Sequence, residues 1–294
     1  MTSFEIYFLA IASNLTYSTA GMVYTVYARR FSSIWINQLK VAVTTVAFLL
    51  AMVVSGEMVS VSYSSLGFLL LSGFAGLCIG DVFLVRAFVT LGAARSLVLY
   101  SFQPLMLGLY AYFFLGQIFT ANQTLAVLCM IICVFIFMLE RNKQTGSWDI
   151  RSFTWAFLGI SLDAFGTMLT RSAYEMDPAL ETFQVNFIRC IGALAGFIMI
   201  SPKSYLLQAK DIMIMRKRET TLLIGSALSG GFISLSLYLA ALKYAHMGTL
   251  TAISITGPIW VSLMECLYFK KFPNYFLVCA FAFFMTGFYL MMYP

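Results

Sequence analysis

Nearly the whole chain consists of apolar stretches that are long enough to cross a membrane. A helix needs about 20 apolar residues to span the hydrocarbon core of a bilayer, and such stretches follow one another here with short polar loops between them. Charged residues make up only 10% of the sequence, whereas about a quarter of the residues of soluble domains are charged. The sequence therefore predicts an all-α membrane protein with ten transmembrane helices. The predicted spans 1 to 10 are Phe4–Tyr27, Ile34–Ser55, Leu66–Thr90, Ala94–Leu115, Thr120–Leu139, Phe153–Tyr174, Leu180–Ile200, Thr221–Tyr244, Met247–Phe269 and Tyr275–Tyr293.

The second half of the chain repeats residues of the first half in the same order and at nearly the same spacing. The matched residues are Asn37, Lys40, Gly76 and Pro104 in the first half, and Asn186, Arg189, Gly230 and Pro258 in the second. Each copy contains an odd number of spans, so the two copies must cross the membrane in opposite orientations, as in inverted-repeat transporters. We expect two inverted five-helix repeats, residues 1–140 and 141–294, that form one integrated membrane domain.

The loops limit the energy source and the chemistry of the protein. They are too short for an ATP-hydrolysing domain, and the sequence contains no G-x-x-x-x-G-K-[ST] motif. No set of His and Cys residues has the spacing of a metal site, and we expect neither a cofactor nor an enzyme activity. The net charge of +6 arises from loop residues rather than from a basic stripe, so we expect no nucleic acid partner. Active transport would have to use an ion or substrate gradient.

The basic loop residues lie mainly in the loops that follow odd-numbered spans. Examples are Arg29 and Arg30 after span 1 and Lys270 and Lys271 after span 9. The positive-inside rule places such loops in the cytoplasm and both termini outside.

The segment from Gly76 to Phe88, with the sequence GLCIGDVFLVRAF, is followed by LGAARS at Leu91–Ser96 and then by Pro104. This order of motifs resembles the EamA branch of the drug/metabolite transporter superfamily, and the resemblance covers essentially the whole chain once both halves are counted. It implies a bundle in which spans 1–4 and 6–9 surround a central cavity, with spans 5 and 10 at the periphery. It also implies transport of amino acids, other metabolites or toxic compounds, often outwards. Many such transporters keep both termini in the cytoplasm, which disagrees with the loop charges.

We therefore expect a multi-pass protein of the cell (inner) membrane that exports small organic solutes by alternating access, with proton or ion coupling left open. Its partners would be the small-molecule substrate and membrane lipid, and a monomer is compatible with the sequence. One alternative is a lipid or lipid-linked sugar flippase of the same fold. A more remote alternative is an intramembrane aspartyl protease that uses Asp81 and Asp163, although Cys78 stands where its signature requires glycine.

Ionisable residues inside spans cost about 2.5–3.5 kcal/mol each on insertion scales, so they usually face a cavity or a partner. Asp81 and Arg86 lie about 140° apart around one helix, so each needs a partner on another span. The coupling or ion-pair candidates are Asp81, Arg86, Asp163 and Glu265. The repeat places the non-acidic residues Leu235, Asn14 and Ala111 opposite Asp81, Asp163 and Glu265, respectively. These unmatched carboxylates could be structural, or they could couple transport to protons.

Lys40 and Arg189 form a symmetric basic pair. Each could snorkel to a span end, cap a neighbouring helix or bind an anionic substrate.

Two further symmetric features indicate bends and close helix contacts. Pro104 and Pro258 lie in the middle of spans 4 and 9, where proline kinks a helix, and we expect hinges there. The spacings Gly76-x-x-x-Gly80 and Gly192-x-x-x-Gly196 predict close helix packing. Polar and aromatic residues suited to an organic solute lie near the prolines and in spans 1 and 8. These substrate-cavity candidates are Asn14, Tyr17, Tyr100, Ser101, Gln103, Tyr238, Thr256 and Trp260.

Overall fold

A computed structural model describes residues 3–56, 58–100, 102–103, 106, 110, 121–146, 149–202, 204–244, 257, 260, 264 and 274–292. All regular secondary structure within these residues is helical. The helices are α1 (Ser3–Ala28), α2 (Ser33–Ser55), α3 (Tyr63–Leu91), α4 (Ala93–Tyr100), α5 (Ala121–Thr145), α6 (Ile150–Met176), α7 (Thr182–Ile200), α8 (Ser204–Ile214), α9 (Lys217–Tyr244) and α10 (Tyr275–Met292).

Most predicted spans have a helix at the expected place. Helices α1 to α3 match spans 1 to 3, α5 to α7 match spans 5 to 7, α9 matches span 8 and α10 matches span 10. Six of them are long and apolar enough to cross a membrane: α2, α3, α5, α6, α7 and α9. Helix α1 has 26 residues but is less apolar because it carries Ser, Thr, Asn and Tyr residues. Span 4 beyond Tyr100 and span 9 lie mainly outside the described residues, so the count of ten spans stays a prediction.

Short polar residues fix where several helices begin. The hydroxyl of Ser32 accepts a hydrogen bond from the backbone amide of Trp35 at the start of α2, and Ser62 caps α3 in the same way. Such side chains satisfy amides that have no partner inside the helix. Helix α2 ends at Gly56, whose φ of 71° suits glycine. These caps keep the connection between α2 and α3 short.

Helices α3 and α9 each contain a π-helical segment near the middle. The segments are Gly73–Gly80 and Leu228–Ile233, and they include the matched glycines Gly76 and Gly230. The sequence did not predict them. A π-helix has a wider turn than an α-helix, is rare and often occurs at functional sites. The repeat is therefore visible in the backbone as well as in the sequence.

Each π-helical segment packs against the opposite half of the chain. A Cβ atom added to Gly73 in α3 would lie only 1.7 Å from the backbone oxygen of Arg189 in α7. In the other copy, a Cβ atom added to Gly231 in α9 would lie 2.1 Å from Cγ2 of Thr44 in α2. The close packing predicted at Gly192 is confirmed, since a Cβ atom there would lie 2.2 Å from a backbone oxygen of α3. The two halves are thus interlocked rather than placed side by side.

Helices α5 and α10, one from each half of the chain, pack against each other. Their shared core includes Cys133 and Phe137 of α5 and Ala280 and Phe284 of α10, all of them buried. None of the described residues of α5 or α10 lines the central cavity. This arrangement agrees with the peripheral position expected for spans 5 and 10.

A further helix, α8, lies in the polar segment between α7 and α9. No helix was predicted there from the sequence. The side-chain amide of Gln208 donates to the backbone oxygen of Trp35 at 2.8 Å. The indole nitrogen of Trp35 in turn donates to Asp211 at 3.0 Å. Helix α8 is thereby fixed against the start of α2.

Candidate functional site

A polar cavity lies between the two halves of the chain. Helices α1 to α4 and Gln103, just after α4, line it from the first half, and α6, α7 and α9 line it from the second. Its volume is about 70 Å³, which gives room for several water molecules. The polar lining residues are Ser13, Asn14, Tyr17, Lys40, Asp81, Tyr100, Gln103, Asp163, Thr167, Arg189, Ser234 and Tyr238.

Lys40 of α2 and Asp81 of α3 form an ion pair in the wall of this cavity. The ammonium group of Lys40 donates to Oδ2 of Asp81, and Lys40 is only 5% exposed. The side-chain amide of Asn37 donates to the backbone oxygen of Asp81 at 3.0 Å and links the same two helices. Lys40 therefore does not snorkel to a span end, and the partner that Asp81 required on another span is Lys40.

Asp163 of α6 is a half-buried carboxylate held by neutral donors. Its Oδ2 accepts hydrogen bonds from the hydroxyl of Tyr100 at 2.6 Å and from the side-chain amide of Gln103 at 2.7 Å. Within the described part of the chain, Asp163 forms no salt bridge. These bonds connect the two halves, because Tyr100 and Gln103 belong to the first and Asp163 to the second.

Arg189 of α7 is 2% exposed and lines the same cavity. Its Nε donates to the hydroxyl of Ser72 in α3 at 3.0 Å. Ser72 donates to the backbone oxygen of Gly166 at 2.7 Å and lies 2.8 Å from the hydroxyl of Thr170. Nη1 of Arg189 has no hydrogen-bond partner among the described residues. Arg189 is therefore fixed inside the bundle, and the snorkelling interpretation does not apply to it either.

The surroundings of Lys40 and Arg189 match in the backbone but not in the side chains. The side-chain amide of Asn186 donates to the backbone oxygen of Leu235 at 3.3 Å, just as Asn37 donates to that of Asp81. Leu235 thus occupies the position in the second half that Asp81 occupies in the first, and both Leu235 and Arg189 line the cavity. The first half has an ion pair where the second half has a cation and a hydrocarbon side chain.

Among the other predicted cavity residues, Asn14, Tyr17 and Tyr238 line the cavity. The ring of Tyr17 stacks on that of Tyr100 with centroids 5.9 Å apart.

Two predicted site residues lie elsewhere. The indole nitrogen of Trp260 donates to the hydroxyl of Thr19 at 3.1 Å, and Trp260 is not among the residues that line the cavity. The guanidinium of Arg86 lies 5.9 Å from the ring centres of both Phe83 and Trp155, also outside the cavity. Among the described residues Arg86 forms no ion pair, and its contact with Trp155 of α6 is a cation–π contact. Ser101, Pro104, Thr256, Pro258 and Glu265 lie outside the described residues.

Thr167, which lines the cavity, and Ser72, which binds Arg189, were not predicted from the sequence. The signal for Thr167 was available, because residues four positions apart share one face of a helix and Thr167 follows Asp163 at that spacing. Its hydroxyl lies 3.4 Å from the side-chain nitrogen of Gln103. Ser72 had no such signal, since its bond to Arg189 depends on the close packing of α3 against α7.

Comparison with known proteins places the chain in a family. One solved structure, described only as the crystal structure of a protein, is 12% identical to this chain and superposes with a TM-score of 0.65. The match covers 98% of this chain and 96% of the other, and at this identity it shows the fold alone. No curated protein matches the chain. The sequence model of the EamA-like transporter family matches twice, over residues 5–139 and 151–293. The chain therefore belongs to the EamA-like transporter family, a family of membrane transporters of the drug/metabolite type.

Proposed function

We propose that this protein is a secondary transporter that exports small organic solutes across the cell membrane by alternating access. The observation that carries the proposal is the polar cavity between the two halves, lined by helices from both. A site at the contact between two repeats can open to one side or the other when the repeats move relative to each other.

The lining of the cavity favours a water-soluble solute over a lipid. It contains Lys40, Asp81, Asp163 and Arg189, and charged groups are expensive to expose to hydrocarbon. Acyl chains would have to pass these groups. A lipid or lipid-linked sugar flippase is therefore the weaker alternative, and transport of lipid instead of solute would support it.

Asp163 is the carboxylate best suited to proton coupling. Its donors, Tyr100 and Gln103, are neutral, so Asp163 can gain a proton without breaking a salt bridge among the described residues. Protonation of Asp81 would instead leave Lys40 without its counterion, at a cost of about 3–5 kcal/mol for breaking a buried pair. We assign the coupling role to Asp163 and a structural role to the pair of Lys40 and Asp81.

The bonds of the two aspartates disfavour the protease alternative. An aspartyl protease needs two carboxylates that share one proton. Here Asp81 binds Lys40, whereas Asp163 accepts bonds from Tyr100 and Gln103. Both residues line one cavity, but each is already engaged by partners of its own.

Transport by the purified protein tests the proposal directly. Proteoliposomes loaded with a mixed cell extract should release specific solutes faster than protein-free liposomes loaded with the same extract when a pH gradient is imposed, as measured by mass spectrometry. The variant Asp163→Asn should lose the dependence on the gradient. Glu175→Gln provides the matched control, because Glu175 is an exposed carboxylate on the same helix that pairs with Arg171. If no solute in the extract moves under any imposed gradient, the proposal is wrong.

A further inference from the structure

Arg189 is a permanently charged group that forms no salt bridge in the described part of the chain. The guanidinium group does not lose its proton in proteins, so the charge persists at every physiological pH. A lysine at this place could discharge, but arginine cannot. Nη1 has no hydrogen-bond partner among the described residues, and the side chain is 2% exposed.

Among the described residues, no other charged group of the cavity forms a salt bridge with Arg189. Asp81 is bound to Lys40, and Leu235 stands where a second such carboxylate would be. Asp163 shares the cavity but bonds through Oδ2 to Tyr100 and Gln103 and forms no salt bridge among the described residues. A buried charge without a salt-bridge partner is costly, because it has lost its hydration without full compensation. Part of this cost would be recovered by any anion that binds beside Nη1.

The orientation of the guanidinium is fixed before a ligand arrives. Nε of Arg189 donates a hydrogen bond to the hydroxyl of Ser72. This hydroxyl in turn donates to the backbone oxygen of Gly166, which fixes its position. The backbone of Arg189 is pressed against Gly73, where even a methyl group would not fit. A group held in its binding orientation loses little further entropy when a ligand binds.

We propose that Arg189 binds the carboxylate of the transported solute, so that the substrates are small organic carboxylates. This proposal rests on the proposed function and names its substrate class. The carboxylate accepts a charge-assisted hydrogen bond from Nη1. The rings of Tyr17, Tyr100 and Tyr238, which line the same cavity, contact the organic part of the solute. Lys40 takes no part, because Asp81 already neutralises it.

Ligand-dependent thermal stability of the full-length protein in lipid nanodiscs tests this assignment. The probes are acetate, benzoate and succinate, with acetamide and benzamide as neutral isosteres and chloride at equal ionic strength. At least one carboxylate should raise the unfolding temperature, because a ligand that binds only the folded state stabilises it. The amides should not.

Variants of Arg189 separate the site from general charge effects. Arg189→Gln should weaken the stabilising carboxylate by at least about tenfold, since hydrogen bonds to charged groups contribute about 1.5–3 kcal/mol. Arg189→Lys keeps the charge and should retain part of the effect, and it also serves if the glutamine variant fails to fold. Arg86→Gln is the matched control, because it removes one positive charge from a spanning helix outside the cavity. Its carboxylate affinity should equal that of the unaltered protein.

The outcomes separate this inference from the proposed function. If none of the carboxylates stabilises the protein more than its amide or chloride, the assignment is wrong, even when proteoliposomes transport other solutes. An equal loss of affinity in Arg86→Gln and Arg189→Gln would also overturn it. If a carboxylate binds through Arg189 but no solute crosses the membrane, the site stands and the transport proposal fails.

Discussion

The two halves of the molecule share a backbone but differ in the charges that they place around the cavity. Helices α3 and α9 both carry a π-helical segment at the matched position, and Asn37 and Asn186 make the same bond to the facing backbone. Yet the first half encloses a neutral ion pair, whereas the second half leaves Arg189 charged. A repeat can thus preserve a scaffold while a single side-chain difference, here Asp81 against Leu235, gives its two copies different chemistry.

Residues at matched positions in the two halves do not have to play the same role. Lys40 and Arg189 are matched in the sequence, which suggested a common role. Lys40 pairs with Asp81 of α3. Arg189 donates to Ser72 of α3, and Leu235 of α9 stands at the position that matches Asp81. The functional difference between the halves therefore belongs to pairs of residues rather than to single positions.

The largest expected loss of stability comes from replacing Asp81 of the first half with leucine, the residue at the matched position of the second half. Asp81→Leu removes the partner of Lys40, which is 5% exposed. We expect a loss of about 3–5 kcal/mol in the free energy of unfolding, because a buried cation would be left uncompensated. Unfolding of the purified protein, followed by helical circular dichroism against denaturant, measures the loss.

The double variant Asp81→Leu with Lys40→Met is the control for that prediction. It removes both charges together, so most of the lost stability should return. A double variant that is as unstable as Asp81→Leu alone would show that the two charges are not energetically coupled.

The reverse exchange should remove the anion site of the second half. Leu235→Asp places a carboxylate beside Arg189 in the matched position, and this carboxylate should compete with the solute. We expect the affinity for the stabilising carboxylate to fall by roughly ten- to a hundredfold, equivalent to about 1.4–2.8 kcal/mol. Thermal stability in nanodiscs measures it. Leu235→Asn is the control, because asparagine has the shape of aspartate without its charge, and it should keep most of the carboxylate affinity. An equal loss of affinity in Leu235→Asp and Leu235→Asn would show that altered packing, not charge, causes the loss.

The sequence was sufficient for most of the described helices and for the repeat, but not for the pairing of charges. Apolar length predicted the ends of α1 to α3, α6 and α7 to within three residues, whereas α5 continues to Thr145, six residues beyond the predicted end of span 5. The cost of leaving backbone groups unpaired in lipid permits few alternatives to helices. The partner of Asp81 was not predictable, since it depends on how α2 and α3 are rotated against each other. The π-helical segments were missed because their extra residue per turn has no periodic signal of its own. Arg86 and Trp260 were assigned to the site from chemistry and span position alone, which do not determine the face of a helix that meets the cavity.

A smaller loss of stability should follow when one of the hydrogen bonds between Asp163 and the first half is removed. Asp163 is matched by the neutral Asn14, so it is the acid that distinguishes the two halves on this side of the cavity. Tyr100→Phe removes a 2.6 Å hydrogen bond to this carboxylate, and we expect a loss of about 1.5 kcal/mol in unfolding free energy, since Gln103 remains. Denaturant unfolding checks it.

Tyr17→Phe is the matched control for Tyr100→Phe, because Tyr17 lines the same cavity and stacks on Tyr100. Its loss of stability should be smaller. The effect of Tyr100→Phe should also shrink in a protein that already carries Asp163→Asn. An undiminished effect there would show that the hydroxyl of Tyr100 acts through another group.

The smallest effects are expected where the helices of the two halves meet outside the spans. The end of α6 is joined to the start of α3 by Asp177, which accepts bonds from the amide and hydroxyl of Ser62 at 3.0 and 2.7 Å. The end of α1 is joined to the start of α9 by the salt bridge of Arg30 and Glu219, in which Arg30 is 59% exposed. The contact of Asp177 with Ser62 consists of hydrogen bonds, and the contact of Arg30 with Glu219 is an exposed ion pair that salt screens. The stability from the first contact should therefore depend on pH, and that from the second on salt.

Hydrogen bonds from Ser65 and Ser62 lower the pKa of Asp177 below its usual value. A carboxyl group whose pKa is lower in the folded state stabilises the protein above its unfolded pKa of about 3.9, and this contribution is lost as the pH falls through the folded pKa. Asp177→Asn should therefore lower the unfolding temperature slightly at pH 7, and the difference from the unaltered protein should disappear in acid, once the pH has fallen through the lowered pKa of the folded state. Glu219→Gln should cost at most about 1 kcal/mol at low salt and almost nothing at 1 M salt, because exposed pairs are weak and screened. If Asp177→Asn responds to salt as strongly as Glu219→Gln does, both contacts are governed by exposed charge and the distinction between the two junctions is lost.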